Sequence, residues 1–199
     1  MVLSVALFLA LGSLIGVGAV MRSPAEDPGS QTAAIGGPFR LTDQHGQRVA
    51  AKDFKGEWML VYFGYTFCPD VCPMTLANMT LALEELPEHL AERITPVFIT
   101  VDPQRDTVEQ LKEYAPLFHD RLVALTGTDA EIKAAARAYK VYFGKAADSG
   151  DGEDDYLMDH SGFVYLMDPD GKYRAHFSHN TGVDELARRL EQEVAGGVS

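Results

Sequence analysis

The chain has 199 residues, 46% of them hydrophobic and 23% charged, a composition that fits one folded domain with a short appendage. Its formal net charge of -12 argues against nucleic acid as a partner. It contains only two cysteines, Cys68 and Cys72, alongside six histidines.

From the N-terminus, Val2 to Met21 carries no charged residue, and the first charge is Arg22. At about 1.5 Å per residue a helix of this length reaches roughly 30 Å, the thickness of a bilayer's hydrocarbon core. A cleaved signal peptide would bring a basic n-region and a small-x-small cleavage site. The basic residues are missing here, and Met21 and Arg22 interrupt the small residues, so an uncleaved anchor is the preferred reading. Both readings deliver the rest of the chain across a membrane, into a setting where a cysteine pair can oxidise. Residues 1–21 are therefore assigned as anchor. Residues 22–38, rich in Pro, Gly, Ser and Ala, are assigned as flexible linker, and 39–199 as the folded domain.

Within that domain strand and helix signals alternate. Phe39 to Val49 reads as a hairpin turning at His45-Gly46. Trp58 to Tyr65, "WMLVYFGY", is an apolar and aromatic run of the kind buried on both faces of a sheet. A helix is expected from about Val71 to Leu86, a second buried strand at Ile94 to Asp102, and a helix at Thr107 to Phe118 with Thr107 as N-cap. A short strand at Arg121 to Leu125 and an Ala-rich helix at Asp129 to Tyr139 follow. Ala146 to Asp155 is an acidic loop. Gly162 to Ser178 reads as a hairpin around a Pro-Asp-Gly turn, and Asp184 to Val194 as a closing helix. This order is that of a thioredoxin-like α/β fold with extra N-terminal strands, here preceded by a single membrane-spanning helix.

Both cysteines fall in "VYFGYTFCPDVCPMTL", where the first buried strand meets its helix. If Cys68 begins the first turn, Cys72 lies at i+4 on the same face. Pro69 and Pro73 are tolerated there because first-turn N–H groups have no intrahelical partner. Those N–H groups and the helix dipole favour thiolate, so both thiols are expected to titrate low. A structural disulfide would close only a short loop and contribute little. Thiol exchange and metal binding both remain open. Among the histidines His160 stands out, preceding an apolar strand that belongs in the central sheet. Two thiolates and one imidazole form a soft set that suits copper, whereas structural zinc would want a fourth ligand. Met74 and Met79, at helical spacing, are read as core residues rather than thioether ligands.

The stretches "GGPFRLTD", "LVYFGYTFCPDVCP", "FITVDPQRDT", "LTGT" and "DYLMDHSG" occur in the order found in the Sco/SenC family of copper-binding assembly proteins, which the chain closely resembles. The resemblance implies a membrane-tethered thioredoxin-like domain that binds Cu(I) or Cu(II) through Cys68, Cys72 and His160. It also implies a role in maturing the copper-A centre of cytochrome c oxidase. The expected partners are the copper-A subunit and, beyond it, other periplasmic copper chaperones or thiol reductants. The expected location is the inner membrane, with the domain on the periplasmic or intermembrane-space side. Phe67 departs from members that carry His before the first cysteine, without altering the ligand set. Asp70 and Asp159, beside the ligands, are candidates for orienting them. For Asp159 a turn-forming surface role stands equally. Arg105 and Asp106 are candidates for shaping the site, although a turn followed by an N-cap explains the same residues and is preferred. The alternatives are a thiol-disulfide oxidoreductase acting on the oxidase subunit's cysteines through a reversible Cys68–Cys72 disulfide, and a redox or copper sensor. A thiol peroxidase lacks the T-x-x-C spacing it would need.

Overall fold

The structure, a computed structural model, describes residues 34–147 and 156–197. The expected span at residues 2–21, most of the expected linker and residues 148–155 of the acidic loop lie outside the described residues. Among the described residues no helix is long and apolar enough to cross a membrane.

The first hairpin pairs β1 (Arg40–Asp43) with β2 (Arg48–Ala50). Its turn forms because the Asp43 carboxylate accepts the N–H groups of His45 and Gln47, at 2.9 and 2.8 Å. β3 (Trp58–Gly64) is buried at every position, as its unbroken apolar run requires. Then come α1 (Val71–Glu84), a short α2 (Glu88–Ala91) and β4 (Ile94–Thr100). α3 (Val108–Tyr114) starts at Thr107, whose hydroxyl accepts the Gln110 N–H at 3.3 Å, as an N-cap should. β5 (Val123–Thr126) leads into α4 (Asp129–Ala138). The start of α4 is fixed by a capping box in which Thr128 and Glu131 each satisfy the other's backbone N–H.

Seven strands form one sheet in the order β2-β1-β5-β4-β3-β8-β9, with β8 (Phe163–Met167) and β9 (Tyr173–Ser178) as the terminal hairpin. β3, β4 and β5 run parallel, and the flanking strands are antiparallel. Gly171 takes φ +79 in the β8–β9 turn, where the Asp168 carboxylate accepts the N–H groups of Asp170 and Lys172. α5 (Val183–Gly196) packs against α1. The alternation of β3 shows how the sheet divides the core. The Tyr62 ring lies toward α1, its hydroxyl against Cys72, while the next ring, Phe63, meets Tyr139 at the end of α4 with centroids 5.3 Å apart.

Three expectations need correction. β6 (Phe143–Lys145) and β7 (Met158–His160) form a separate two-stranded sheet that sequence periodicity did not show, because three residues per strand are too few for a pattern. α1 ends at Glu84, short of Leu86, because Pro87 follows and opens α2 as its N-cap. Met79 is core at 1% exposure, but Met74 is 44% exposed. Five positions along a helix turn the side chain well away from the buried face, so the two methionines do not share an environment.

Candidate metal centre

The site is built where β3 ends. Cys68 precedes α1, Asp70 is the N-cap, and Cys72 is the second helical residue. The Cys72 N–H points at the Cys68 sulfur, 3.4 Å away. The hydrogen bond with the Cys72 side chain, then the Asp70 and Cys72 N–H groups and the nearby His160, bring the Cys68 thiol down to about 5 against the opposing effect of partial burial. Cys68 is thus a thiolate at neutral pH, partly exposed at the mouth of the site.

Cys72 behaves oppositely, which corrects the expectation that both thiols titrate low. Its sulfur is wholly buried, and it donates its proton to Cys68. Both effects, the bond first and burial second, push its thiol up. The two sulfurs share one proton, and the more exposed Cys68 carries the negative charge.

His160, the last residue of β7, stands opposite Phe143 and reaches Cys72 across 88 positions of sequence, with Nε2 3.4 Å from Sγ. The Nδ1–H donates to the Ser161 carbonyl at 3.3 Å, which leaves the Nε2 lone pair facing the sulfur. Burial lowers the pKa of this imidazole, so the ring is neutral and ready to act as a donor. Tyr62 and Tyr65 present their rings edge-on to it, each with centroids 6.0 Å away. The Tyr62 hydroxyl also donates to Cys72 Sγ at 3.5 Å.

Among the described residues no three His, Cys, Asp or Glu side chains already stand as a finished metal cage. Cys72 is the middle of a chain, bonded to Cys68 on one side and in contact with His160 on the other. The carboxylates of Asp70 and Asp159 are exposed, and Asp70 makes no side-chain cap; its contribution is the backbone N–H at Cys68.

One residue not singled out from the sequence, and one given there a lesser role, hold this arrangement. Gly64 leaves the room that the Cys72 sulfur fills, since a Cβ there would lie 2.9 Å from Sγ. The signal for it was a lone glycine inside an apolar strand. Asp106 is fully buried and accepts the Thr66 N–H at 3.0 Å, the Thr66 hydroxyl at 2.6 Å and the Thr100 hydroxyl at 2.5 Å. It ties the cysteine loop to the end of β4, a structural task beyond the turn-and-cap role preferred from the sequence.

A mixed α/β sheet with a Cys-x3-Cys turn at a helix N-terminus, faced by a histidine from a neighbouring hairpin, defines a thioredoxin-like protein with a thiol or metal site. The chain belongs to the SCO1/SenC family, whose model matches residues 27–195. It is 43% identical over 169 residues to the mitochondrial protein SCO1 homolog 1 of Arabidopsis thaliana, covering 85% of this chain and 50% of that protein. The chain thus spans about half the length of that curated relative. The structure of yeast Sco1 with copper bound is 38% identical, with a TM-score of 0.76, covering 83% of this chain and 91% of that one. BsSco, described as a member of the Sco family of cytochrome c oxidase assembly proteins with a disulfide switch, is 28% identical with a TM-score of 0.61, covering 82% and 95%.

Proposed function

We propose that this chain is a copper metallochaperone that binds Cu(I) and Cu(II) through Cys68, Cys72 and His160 and assists maturation of the copper-A centre of cytochrome c oxidase. The observation that carries the reading is the 3.4 Å approach of His160 Nε2 to Cys72 Sγ, beside a Cys68 held as thiolate. Two sulfurs and one neutral imidazole suit copper better than the harder cations. Copper bound to the yeast relative supports the same cargo. Cys68, charged and partly exposed, meets incoming Cu(I) first. Cys72 releases its proton to solvent, and the metal takes that proton's place as the counter-charge of the thiolate. His160 completes a set able to hold Cu(II).

Residues 2–21 anchor the chain in the inner membrane, residues 22–38 act as tether, and the domain works on the periplasmic or intermembrane-space side. The copper-A subunit is the recipient. A second reading has a specific observation behind it: a low-pKa thiolate next to a thiol is the pair that thiol-disulfide exchange uses. The two activities are compatible, because a Cys68–Cys72 disulfide cannot ligate copper.

The separating experiment is His160→Ala in cells at limiting copper. The chaperone reading expects copper-A assembly to fail while the disulfide still forms and is still reduced. Normal assembly at normal protein level would refute the ligand role of His160 and favour the redox reading.

A further inference from the structure

Arg105 stands between the two stretches that carry the proposed ligands. Its side chain is 9% exposed, and its Nε donates to Asp102 Oδ2. The guanidinium lies 3.6 Å from the centroid of the Tyr156 ring, 4.8 Å from that of Phe67 and 5.8 Å from that of Tyr65. Phe67 adjoins Cys68, and Tyr65 touches the His160 ring. Tyr156 leads into β7, which ends at His160, and its hydroxyl donates to Asp102 Oδ1 at 2.8 Å. One carboxylate therefore holds both halves of a cation–π pair, and that pair joins the cysteine loop to the histidine strand. The placement uses properties particular to arginine: a planar cation that stacks on several rings and stays charged when buried.

We propose that Arg105, clamped by Asp102 and Tyr156, is a positioning residue that sets His160 against the cysteine pair and so gives the site its capacity for Cu(II). The inference rests on the ligand reading above. β6 and β7 pair over only three residues each, too few to hold a ligand in place unaided. Lys145 of β6 adds a second cation 3.6 Å from the Tyr156 ring centroid, so the whole small sheet is gathered on that ring. Cu(I) tolerates two-coordinate thiolate binding and depends less on where the imidazole sits, whereas Cu(II) needs the nitrogen.

The test uses the full chain and four variants. Arg105→Met and Tyr156→Leu break the stack. Tyr156→Phe keeps the ring and loses only the bond to Asp102. Arg105→Lys keeps the charge. Cu(I) affinity is measured against a competing chelator, Cu(II) affinity and thiolate-to-Cu(II) absorption by titration, and amide hydrogen exchange on the metal-free chain. For Arg105→Met and Tyr156→Leu the expected result is a fall in Cu(II) affinity of about tenfold or more with weakened absorption, the scale seen when groups supporting metal ligands are lost. Cu(I) affinity stays near wild type. Exchange quickens in β6 and β7 and stays slow in β3 and β4. Tyr156→Phe and Arg105→Lys recover part of the Cu(II) signal. If Arg105→Met does not fold, Tyr156→Leu decides.

Wild-type Cu(II) binding in a variant whose β6–β7 exchange has quickened overturns the proposal, as does unchanged exchange there. Equal loss of Cu(I) and Cu(II) with faster exchange throughout overturns it too, since that marks a merely structural role. A wild-type chain that binds no copper would instead sink the chaperone reading. The clamp would then stand or fall on the exchange data from the metal-free chain.

Discussion

Gly64→Ala tests the packing of the buried sulfur directly. The added Cβ would lie 2.9 Å from Cys72 Sγ and 3.0 Å from both Phe98 Cε2 and Tyr62 Cε1. Ordinary contact begins at 3.4 Å, so relief at the sulfur requires a shift of 3.4 − 2.9 = 0.5 Å. Cys72, Phe98 and Tyr62 are all at 0% exposure, and Gly64 is itself paired with Thr100 in the sheet, so nothing nearby gives way freely. Overpacking of this kind costs about 1–3 kcal/mol, offset by roughly 0.4–1 kcal/mol from the stiffer unfolded chain. The net destabilisation is about 0–2.6 kcal/mol, centred on about 1.3, a fall in Tm of roughly 3–5 °C for a chain of this size at that central value. The same displacement moves Sγ relative to His160 Nε2 and should alter the Cu(II) absorption. The assays are thermal melting of the metal-free chain and Cu(II) titration. An unchanged or raised Tm together with a wild-type copper spectrum would refute the claim that Gly64 seats the sulfur.

Asp106→Asn places an amide NH2 among donors, so at least one of the bonds from Thr66 and Thr100 is lost; chemical denaturation should show a loss of about 1–3 kcal/mol. In the metal-free chain the alkylation rate of Cys68 should rise with pH through a midpoint near 5 and level off above it, because the thiolate is the reactive form. In the unfolded chain the midpoint should return to about 8.5, and a folded midpoint above about 7 would contradict the geometry at the helix N-terminus. Oxidation to the Cys68–Cys72 disulfide should abolish copper binding, read by metal content before and after a thiol reductant. Thr128→Ala removes the cap of α4, far from the sulfurs in sequence, and should lower stability by about 1 kcal/mol while leaving the copper spectra unchanged.

The parallel core was legible because burial on both faces writes an unbroken apolar run, as in β3, and because caps such as Thr107 and turn residues such as Asp168 act locally. Cys68 and Cys72 were legible from their spacing, and His160 from its place before an apolar strand. The β6–β7 pair was not, since its register of Phe143 with His160 depends on a connection through the acidic loop rather than on local pattern. Gly64, Asp106 and Arg105 were hidden or undervalued for a related reason. Each acts on residues far away in sequence or on the opposite side of a loop, and a single chain carries no mark of which polar group will be buried against which partner.

The two thiols show where local reasoning stops. A helix N-terminus predicts low pKa for any sulfur placed on it, and by that logic Cys68 and Cys72 are equivalent. Tertiary structure separates them, because the second cysteine turns into the core beside Tyr62, where burial and its bond to Cys68 keep the proton. For the copper carrier proposed above, that asymmetry would serve better than two thiolates. Two bare thiolates in contact would repel one another, leaving an oxidisable, loosely held pair in the metal-free protein. A thiolate hydrogen-bonded by a thiol avoids that repulsion, and under the proposed function it would release one proton to solvent on admitting a soft cation. In the copper reading proposed above, the proton on Cys72 would be the counter-charge that the metal replaces. Gly64 leaves the room in which that sulfur is buried, while the Tyr62 hydroxyl bond works against burial and favours the thiolate.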